Sequence, residues 1–300
     1  MRFLFLGTGT SSGIPAIGCS CAVCTSTDPR DTRLRCAAAL TFTDAQGQDR
    51  VLLLDAGPDL RQQALRARLT RCDAVFFTHN HVDHIFGLDE LRRFNATMNA
   101  PIDIYADRHT LESLQRVYKH IFDRQNNVND SFVATLISHR IEPHTPIDLY
   151  GRGGVRITPF PLLHGKQQIL GYRIDPAEGP GPPHGPRADT TSSRHLPLPL
   201  AYCTDVSGIP PESWQYLEGL NTLVLDALRH RKHPTHFTIG QAVSVAQQAQ
   251  ARVTYLIHMT HDLLHETTEQ DLPENIHLAY DGLTLGLIEG AEQHDPNLLT

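Results

Sequence analysis

The sequence predicts a layered α/β or α+β domain, on three observations. Short apolar runs of strand length recur along the chain, and several have no polar face. Helix-length stretches fall between some of these runs, while other runs follow one another directly. Polar side chains able to bind metals or substrates stand at the ends of the apolar runs, not along them.

The strand candidates, in order, are "RFLFLG", "AAALTFT", "RVLLLD", "DAVFFT", "IDIYA", "VRITPFPL", "LAYCTD", "TLVLDAL", "RVTYLIH" and "LTLGLIEG". Runs that are apolar on both faces belong to a sheet covered on both sides. The helix candidates are "PDLRQQALRAR", "GLDELRRFNATMN", "HTLESLQRVYKHIFD" and "TIGQAVSVAQQAQ". No repeat of solenoid length is present. The stretch from Asp175 to Pro199 is rich in Pro, Gly, Ser and Thr and has no periodicity, so it reads as a long insertion loop. Ligand-type residues lie on both sides of it, which favours one domain over 1–300 interrupted by a loop at about 175–199. Asp55, Thr78, His79, Asp205, Asp226 and His258 each follow an apolar run. Groups at strand ends line a cleft beside the sheet edge.

The 300 residues suffice for a substantial core, and 40% hydrophobic with 20% charged residues is ordinary for a globular chain. A net charge of −7 gives no footprint for general nucleic-acid binding. No apolar run is long enough to span a membrane, and the start reads as a strand, not a signal peptide. The expected location is the cytoplasm, where thiols stay reduced, so the six cysteines read as metal ligands or buried thiols.

The 18 histidines are unusually many. "FFTHNHVDH" supplies His79, His81, Asp83 and His84 within six residues. Residues two apart do not share a helix face, so His79 and His81 reach one metal only from a loop, here the loop closing "AVFFT". Three imidazoles and a carboxylate suit zinc, manganese or iron.

This His-x-His-x-Asp-His pattern resembles the signature of the metallo-β-lactamase superfamily, whose fold is an αββα sandwich with a metal site at one sheet edge. Four further stretches match in order: "LLLDAG" (Asp55), "PLLHG" (His164), "YCTDVSG" (Asp205) and "LIHMTH" (His258). The resemblance implies one metal on His79, His81 and His164, and a second on Asp83, His84 and His258. Asp205 would bridge them, and Asp55 would orient a metal-bound histidine or the loop. Two divalent metals, Zn or Mn, would share a hydroxide acidic near neutral pH and clamp a phosphoryl displacement.

The glycine-rich first turn joined to a cysteine cluster, "GTGTSSGIPAIGCSCAVC", narrows the resemblance to the PhnP-like phosphoribosyl cyclic phosphodiesterases. That family opens a ribosyl 1,2-cyclic phosphate. In "LVLDALRHRKHPTHFTIGQA", His236 stands where the tRNA-processing branch carries a catalytic histidine. It would protonate the leaving alkoxide or stabilise phosphorane-like charge, with Asp226 orienting it. His230 and His233 read as solvated loop histidines. Arg33, Arg35, Arg92 and Arg93 are each placed to contact a phosphate but read more simply as surface arginines, and "GTGTSSG" reads as either a phosphate cradle or a tight turn. The expected partners are a small phosphodiester and a second copy of the chain. Two other functions stay open: a tRNA 3′-processing nuclease, which the acidic charge disfavours, and a non-catalytic zinc protein, which the full ligand set disfavours.

Cys19, Cys21 and Cys24 put three soft ligands into six residues, and a closed zinc site wants a fourth. With His258 assigned to the metal pair, "LIHMTH" leaves His261, and the resemblance supports a histidine in that relation to the cysteines. The expectation is one structural Zn on Cys19, Cys21, Cys24 and His261. Cys36, Cys72 and Cys203 are then ordinary buried thiols.

Overall fold

Strict alternation builds the first sheet. In β1 (Arg2–Gly7), Phe3 and Phe5 face one side and Leu6 the other. In β2 (Ala37–Thr43), Ala38 and Leu40 oppose Ala37 and Ala39; in β3 (Asp49–Leu54), Leu52 and Leu54 oppose Val51 and Leu53. Both faces are apolar because both are covered. A computed structural model of the chain describes residues 1–123, 132–177 and 197–286. The rest of this sheet is β4 (Ala74–Phe76), β5 (Ile102–Ala106), β6 (Leu136–Arg140) and β14 (Thr284–Gly286), in the order β14-β1-β2-β3-β4-β5-β6.

The second sheet has the order β13-β12-β11-β10-β9-β8-β7. Its strands are β7 (Ile147–Leu149), β8 (Val155–His164), β9 (Gln167–Pro176), β10 (Leu200–Cys203), β11 (Thr222–Asp226), β12 (Val253–Ile257) and β13 (Ile276–Leu278). Pro159 and Pro161 interrupt β8 without breaking a ladder. They lie beyond the stretch paired with β7, and their carbonyls accept from His144 N at 2.7 Å and Ser213 Oγ at 2.6 Å instead.

The two sheets share one core, in which Phe3, Phe5, Leu52 and Phe76 meet Ile157, Tyr172, Tyr202 and Val224. The outer face of the first sheet is covered by α1 (Leu60–Arg66), α3 (Leu91–Met98) and α4 (Arg108–Val117). That of the second is covered by α6 (Ile239–Ala249). The result is the αββα sandwich. One expected helix is two: α4 stops at Tyr118, and α5 (Lys119–Phe122) follows. Tyr118 leaves helical geometry and donates its hydroxyl to the Ile85 carbonyl at 3.2 Å. The expected insertion loop lies outside the described residues except for its two ends, and the expected last strand does so beyond Gly286. Among the described residues, no helix is long and apolar enough to cross a membrane.

Strand direction positions the site. β3 to β6 run parallel, as do β10 to β13, so the C-terminal ends of β3 and β4 share one edge, and those of β10, β11 and β12 another. The two edges are stitched together just below the histidine loop. Tyr172 of β9 donates its hydroxyl to the Phe77 carbonyl at 2.5 Å, and Leu170 N donates to the Thr78 carbonyl at 3.0 Å.

Candidate metal centre

Every expected ligand of the metal pair arrives at this doubled edge. His79 and His81 follow β4, Asp83 and His84 lie on the single turn α2 (Val82–Ile85), and His164 ends β8. Asp205 and His258 lie just past β10 and β12, and Asp226 ends β11. Asp55, Asp205 and His258 all adopt left-handed backbone conformations, with φ of 63°, 58° and 63°. Such values are uncommon outside glycine and cluster at functional sites.

Side-chain atoms converge in two main groups. His79, His81 and His164 bring one ligand atom each within 4.8 Å of one another, and Asp83, His84, Asp205 and His258 do the same. Asp205 also reaches His164 and His236 at that distance, so it stands between the groups. His236 and Asp226 join His258 in a neighbouring set, which is where the sequence expectation put them.

Four of the five ligand histidines meet a polar partner through Nδ1. His79 Nδ1 lies 3.0 Å from Thr78 Oγ1, and that hydroxyl lies 2.9 Å from Asp55 Oδ2. His84 Nδ1 meets Asp55 Oδ2 at 2.7 Å, and His164 Nδ1 donates to the Thr235 carbonyl at 2.9 Å. His258 Nδ1 lies 3.3 Å from Asp226 Oδ1. The Nε2 atoms of His79, His84 and His258 are buried and make no hydrogen bond; those of His84 and His258 face Asp205 carboxylate oxygens at 3.1 and 3.2 Å. A buried polar nitrogen left unsatisfied costs about 1–3 kcal/mol. Several of them converging beside Asp83 and Asp205 fit a divalent cation, with the Nδ1 contacts fixing ring orientation as in known metal sites.

The local charges agree. Burial pushes His79, His81 and His164 below the usual histidine pKa. Burial opposes charge on His84 and His258 too, but Asp205 and the neighbouring carboxylates outweigh it, raising His84 well above its usual value and His258 to about 9. Asp205 is buried, yet His258 and His84 hold its carboxyl well below the usual range. Buried carboxylates thus demand cations here, supplied by protons or by metals.

Gly57 is where this loop tolerates no side chain. A Cβ there would lie 1.9 Å from the Asp83 carbonyl oxygen. Gly57→Ala is expected to push α2 away, destabilise the fold by about 2 kcal/mol or more and weaken metal uptake; thermal unfolding and metal titration check both.

The cysteine cluster is a separate group. His261 Nδ1 lies 3.1 Å from Cys19 Sγ and 3.5 Å from both Cys21 and Cys24 Sγ. Tetrahedral zinc with Zn–S of about 2.3 Å and Zn–N of about 2.0 Å separates S and N by roughly 3.5 Å. The cysteines form no disulfide. Backbone N–H groups point at the sulfurs, from Ala16 to Cys24 at 3.3 Å and from Cys24 to Cys21 at 3.5 Å. The Cys24 N–H, the largest influence, helps bring the Cys21 thiol down to about 6, while burial pushes Cys24 up to about 11. These four side chains fit a structural zinc, distinct from the histidine–aspartate groups.

Arg33 takes a different place from the one its sequence context gave it. Arg33 is fully buried: its guanidinium donates to the Thr260 and Leu263 carbonyls at 3.1 and 2.8 Å and pairs with Asp31. It therefore ties the cysteine loop to the segment carrying His258 and His261. Arg35 pairs with Asp59 and Arg92 with Asp89. In "GTGTSSG", Gly13 N donates to the Thr10 carbonyl at 2.9 Å, closing a turn, and Thr10 N donates to the Met259 carbonyl at 3.0 Å. Cys36, Cys72 and Cys203 are buried as expected. The contribution of Thr235 was not foreseen, because it acts through its carbonyl, which no residue identity encodes.

Comparison with known proteins agrees with this architecture. Residues 50–259 match the family model of the beta-lactamase superfamily domain. The chain therefore belongs to the metallo-β-lactamase superfamily, a hydrolase-type fold that binds divalent metals. Within it the chain is PhnP-like: a crystal structure described as a new diphosphatase from the PhnP family shares 39% identity and a TM-score of 0.77, covering 95% of this chain and 97% of that one. An octanoyltransferase of Porphyromonas gingivalis is 34% identical over 285 residues, 94% of this chain. The chain spans about half, 51%, of that longer relative. Zn(2+)-bound PqqB from Methylobacterium extorquens shares the fold at 18% identity and a TM-score of 0.69, covering 96% of this chain and all of that one.

Proposed function

We propose that the protein hydrolyses a small phosphodiester with two divalent metals, one on His79, His81 and His164 and the other on Asp83, His84 and His258, with Asp205 between them. The carrying observation is the set of buried Nε2 atoms that make no hydrogen bond and converge with the Asp83 and Asp205 carboxylates. Metals there would supply an acidified water and positive charge for the scissile phosphoryl group. The protein's own part is to hold the ligand nitrogens oriented through Asp55, Thr78 and Thr235, and to present a proton donor. His236 is that donor. It is 9% exposed, its Nδ1 lies 3.3 Å from Asp226 Oδ1, and the other Asp226 oxygen accepts from Phe237 N at 3.0 Å. Asp226 thereby favours the tautomer whose other nitrogen faces the leaving group.

A ribosyl 1,2-cyclic phosphate is the substrate the sequence resemblance favours, and the 39%-identical diphosphatase adds diphosphate-linked diesters to the class. Acyl transfer through a thiol has no support here. Burial raises Cys36, Cys72 and Cys203 above the usual thiol pKa, which suits inert thiols, not nucleophiles. The test is a hydrolysis panel on metal-loaded protein with a ribosyl 1,2-cyclic phosphate, a 2′,3′-cyclic nucleotide, a dinucleoside diphosphate, an aryl diester, a β-lactam and a pre-tRNA. Turnover confined to the β-lactam or the pre-tRNA would overturn the proposal.

His236→Ala is expected to slow turnover by about 10²–10⁴-fold while metal content is retained. The loss should shrink on nitrophenyl esters, whose leaving group needs little protonation. An equal loss on every substrate would assign His236 to binding instead.

A further inference from the structure

Solvent reaches the candidate centre from one side. His81 is exposed, His164 and His236 retain 8% and 9% exposure, and His79, His84 and His258 lie buried behind them. Ring centroids step from His81 to His164 at 5.0 Å, on to His236 at 4.7 Å and on to His233 at 5.1 Å. Four imidazoles therefore form one arc along the mouth, and His233 is its outer end.

His233 has a defined tautomer. Its Nδ1 lies 3.4 Å from the backbone N of Thr235 and 3.1 Å from Thr235 Oγ1. A backbone N–H can only donate, so Nδ1 accepts and the ring proton sits on Nε2. Burial first, then His236 and Arg229, hold the His233 pKa below its usual value. Thr235 serves the rest of the arc as well. Its carbonyl fixes His164 Nδ1, and its methyl packs on Gly165, where an added Cβ would lie 2.8 Å from Thr235 Cγ2. The turn sits in a basic stretch: Arg229, Arg231 and Lys232 fall within four residues of a chain with net charge −7. Asp262 faces two of them, 4.0 Å from Arg229 and 3.5 Å from Arg231.

We propose that His233 is a second substrate-contacting imidazole, whose Nε2–H donates a hydrogen bond to an anionic phosphoryl oxygen beside His236, with Thr235 as the positioning residue that fixes this tautomer. The inference rests on the hydrolase reading for the nature of its ligand. It divides the work of the arc. His236 faces the leaving group, and His233, a neutral donor, grips an oxygen that stays on phosphorus.

Calorimetric binding of inorganic phosphate to the metal-loaded protein tests it, alongside steady-state kinetics on an aryl diester. His233→Ala is expected to weaken phosphate binding roughly tenfold, the scale of one lost hydrogen bond to a charged group, and to raise KM more than it lowers kcat. His233→Gln, which restores an N–H near the same place, should recover most of the loss. Thr235→Val should lose part of it, with metal content unchanged. Wild-type phosphate affinity in His233→Ala would overturn the inference, and so would a loss of affinity that merely tracks loss of metal. The two readings fail separately. Phosphate affinity that depends on His233 in a protein with no diester turnover would sink the hydrolase reading alone. Turnover with phosphate affinity indifferent to His233 would sink this one alone.

Discussion

Asp205→Ala is expected to reduce phosphodiester turnover by on the order of 10³-fold or more and to empty both metal positions of the pair. One Asp205 oxygen lies 3.1 Å from His84 Nε2 and the other 3.2 Å from His258 Nε2, and the carboxylate reaches His164 as well. No other described carboxylate stands between the two groups. Removing it also takes away a negative charge that faces both His84 and His258. His164→Ala should act more narrowly, lowering occupancy mainly at the metal shared with His79 and His81. Metal analysis of the purified variants, read beside turnover of a chromogenic diester, separates these outcomes. In both variants the zinc of the cysteine cluster should remain. Near-normal turnover of Asp205→Ala would refute the paired site.

The second large effect is expected at the cysteine cluster. Cys21→Ser should release one tightly held zinc and lower the unfolding temperature by on the order of 10 °C, because metal binding and folding of such a site are one equilibrium. The loop it would free is pinned to the catalytic edge in several places. Met259 N donates to the Thr8 carbonyl at 3.0 Å, and Arg33 and Asp31 hold the segment from Thr260 to His265. Any loss of activity should therefore follow from displacement of His258, and high zinc should restore part of it. Differential scanning calorimetry with metal analysis checks the prediction. Unchanged stability in a zinc-free variant would show that the cluster holds nothing in place.

Much of this arrangement is legible in the chain because ligands at strand ends have a local sign: an apolar run, then a polar residue of the right kind. Threonine precedes the ligand in both "FFTH" and "YCTD", and both hydroxyls engage a carboxylate, Thr78 that of Asp55 and Thr204 that of Asp205 at 2.7 Å. The capping of α6 is legible in the same way, since Thr238 and Gln241 exchange the reciprocal bonds that "TIGQ" encodes. What the chain hides is made by pairing. β9 is ten residues long and central, yet it opens on two glutamines and carries Gly171 in its middle. That glycine makes room for Phe160, whose ring would lie 2.8 Å from an added Cβ, a fact that resides in β8. Likewise Arg33 reads as a surface arginine until the carbonyls that receive it, some 230 residues away, are known. His233 reads as a loop histidine because the arc it ends runs through His236 to His164 and His81, which lie on other elements far from it in sequence.

The left-handed backbone at Asp55, Asp205 and His258 sets backbone strain against side-chain contacts at three positions. A residue with a Cβ pays roughly 1–2 kcal/mol to stand in that conformation, and glycine does not. At each position that strain is offset by contacts only the present side chain makes: Asp55 accepts from Thr78 and meets His84, Asp205 lies between His84 and His258, and His258 lies against Asp226. Glycine at 55, 205 or 258 would relax the backbone and leave those buried partners unpaired, at about 1–3 kcal/mol each. A screen for thermal resistance alone should therefore retain all three side chains, even in molecules that no longer turn over substrate.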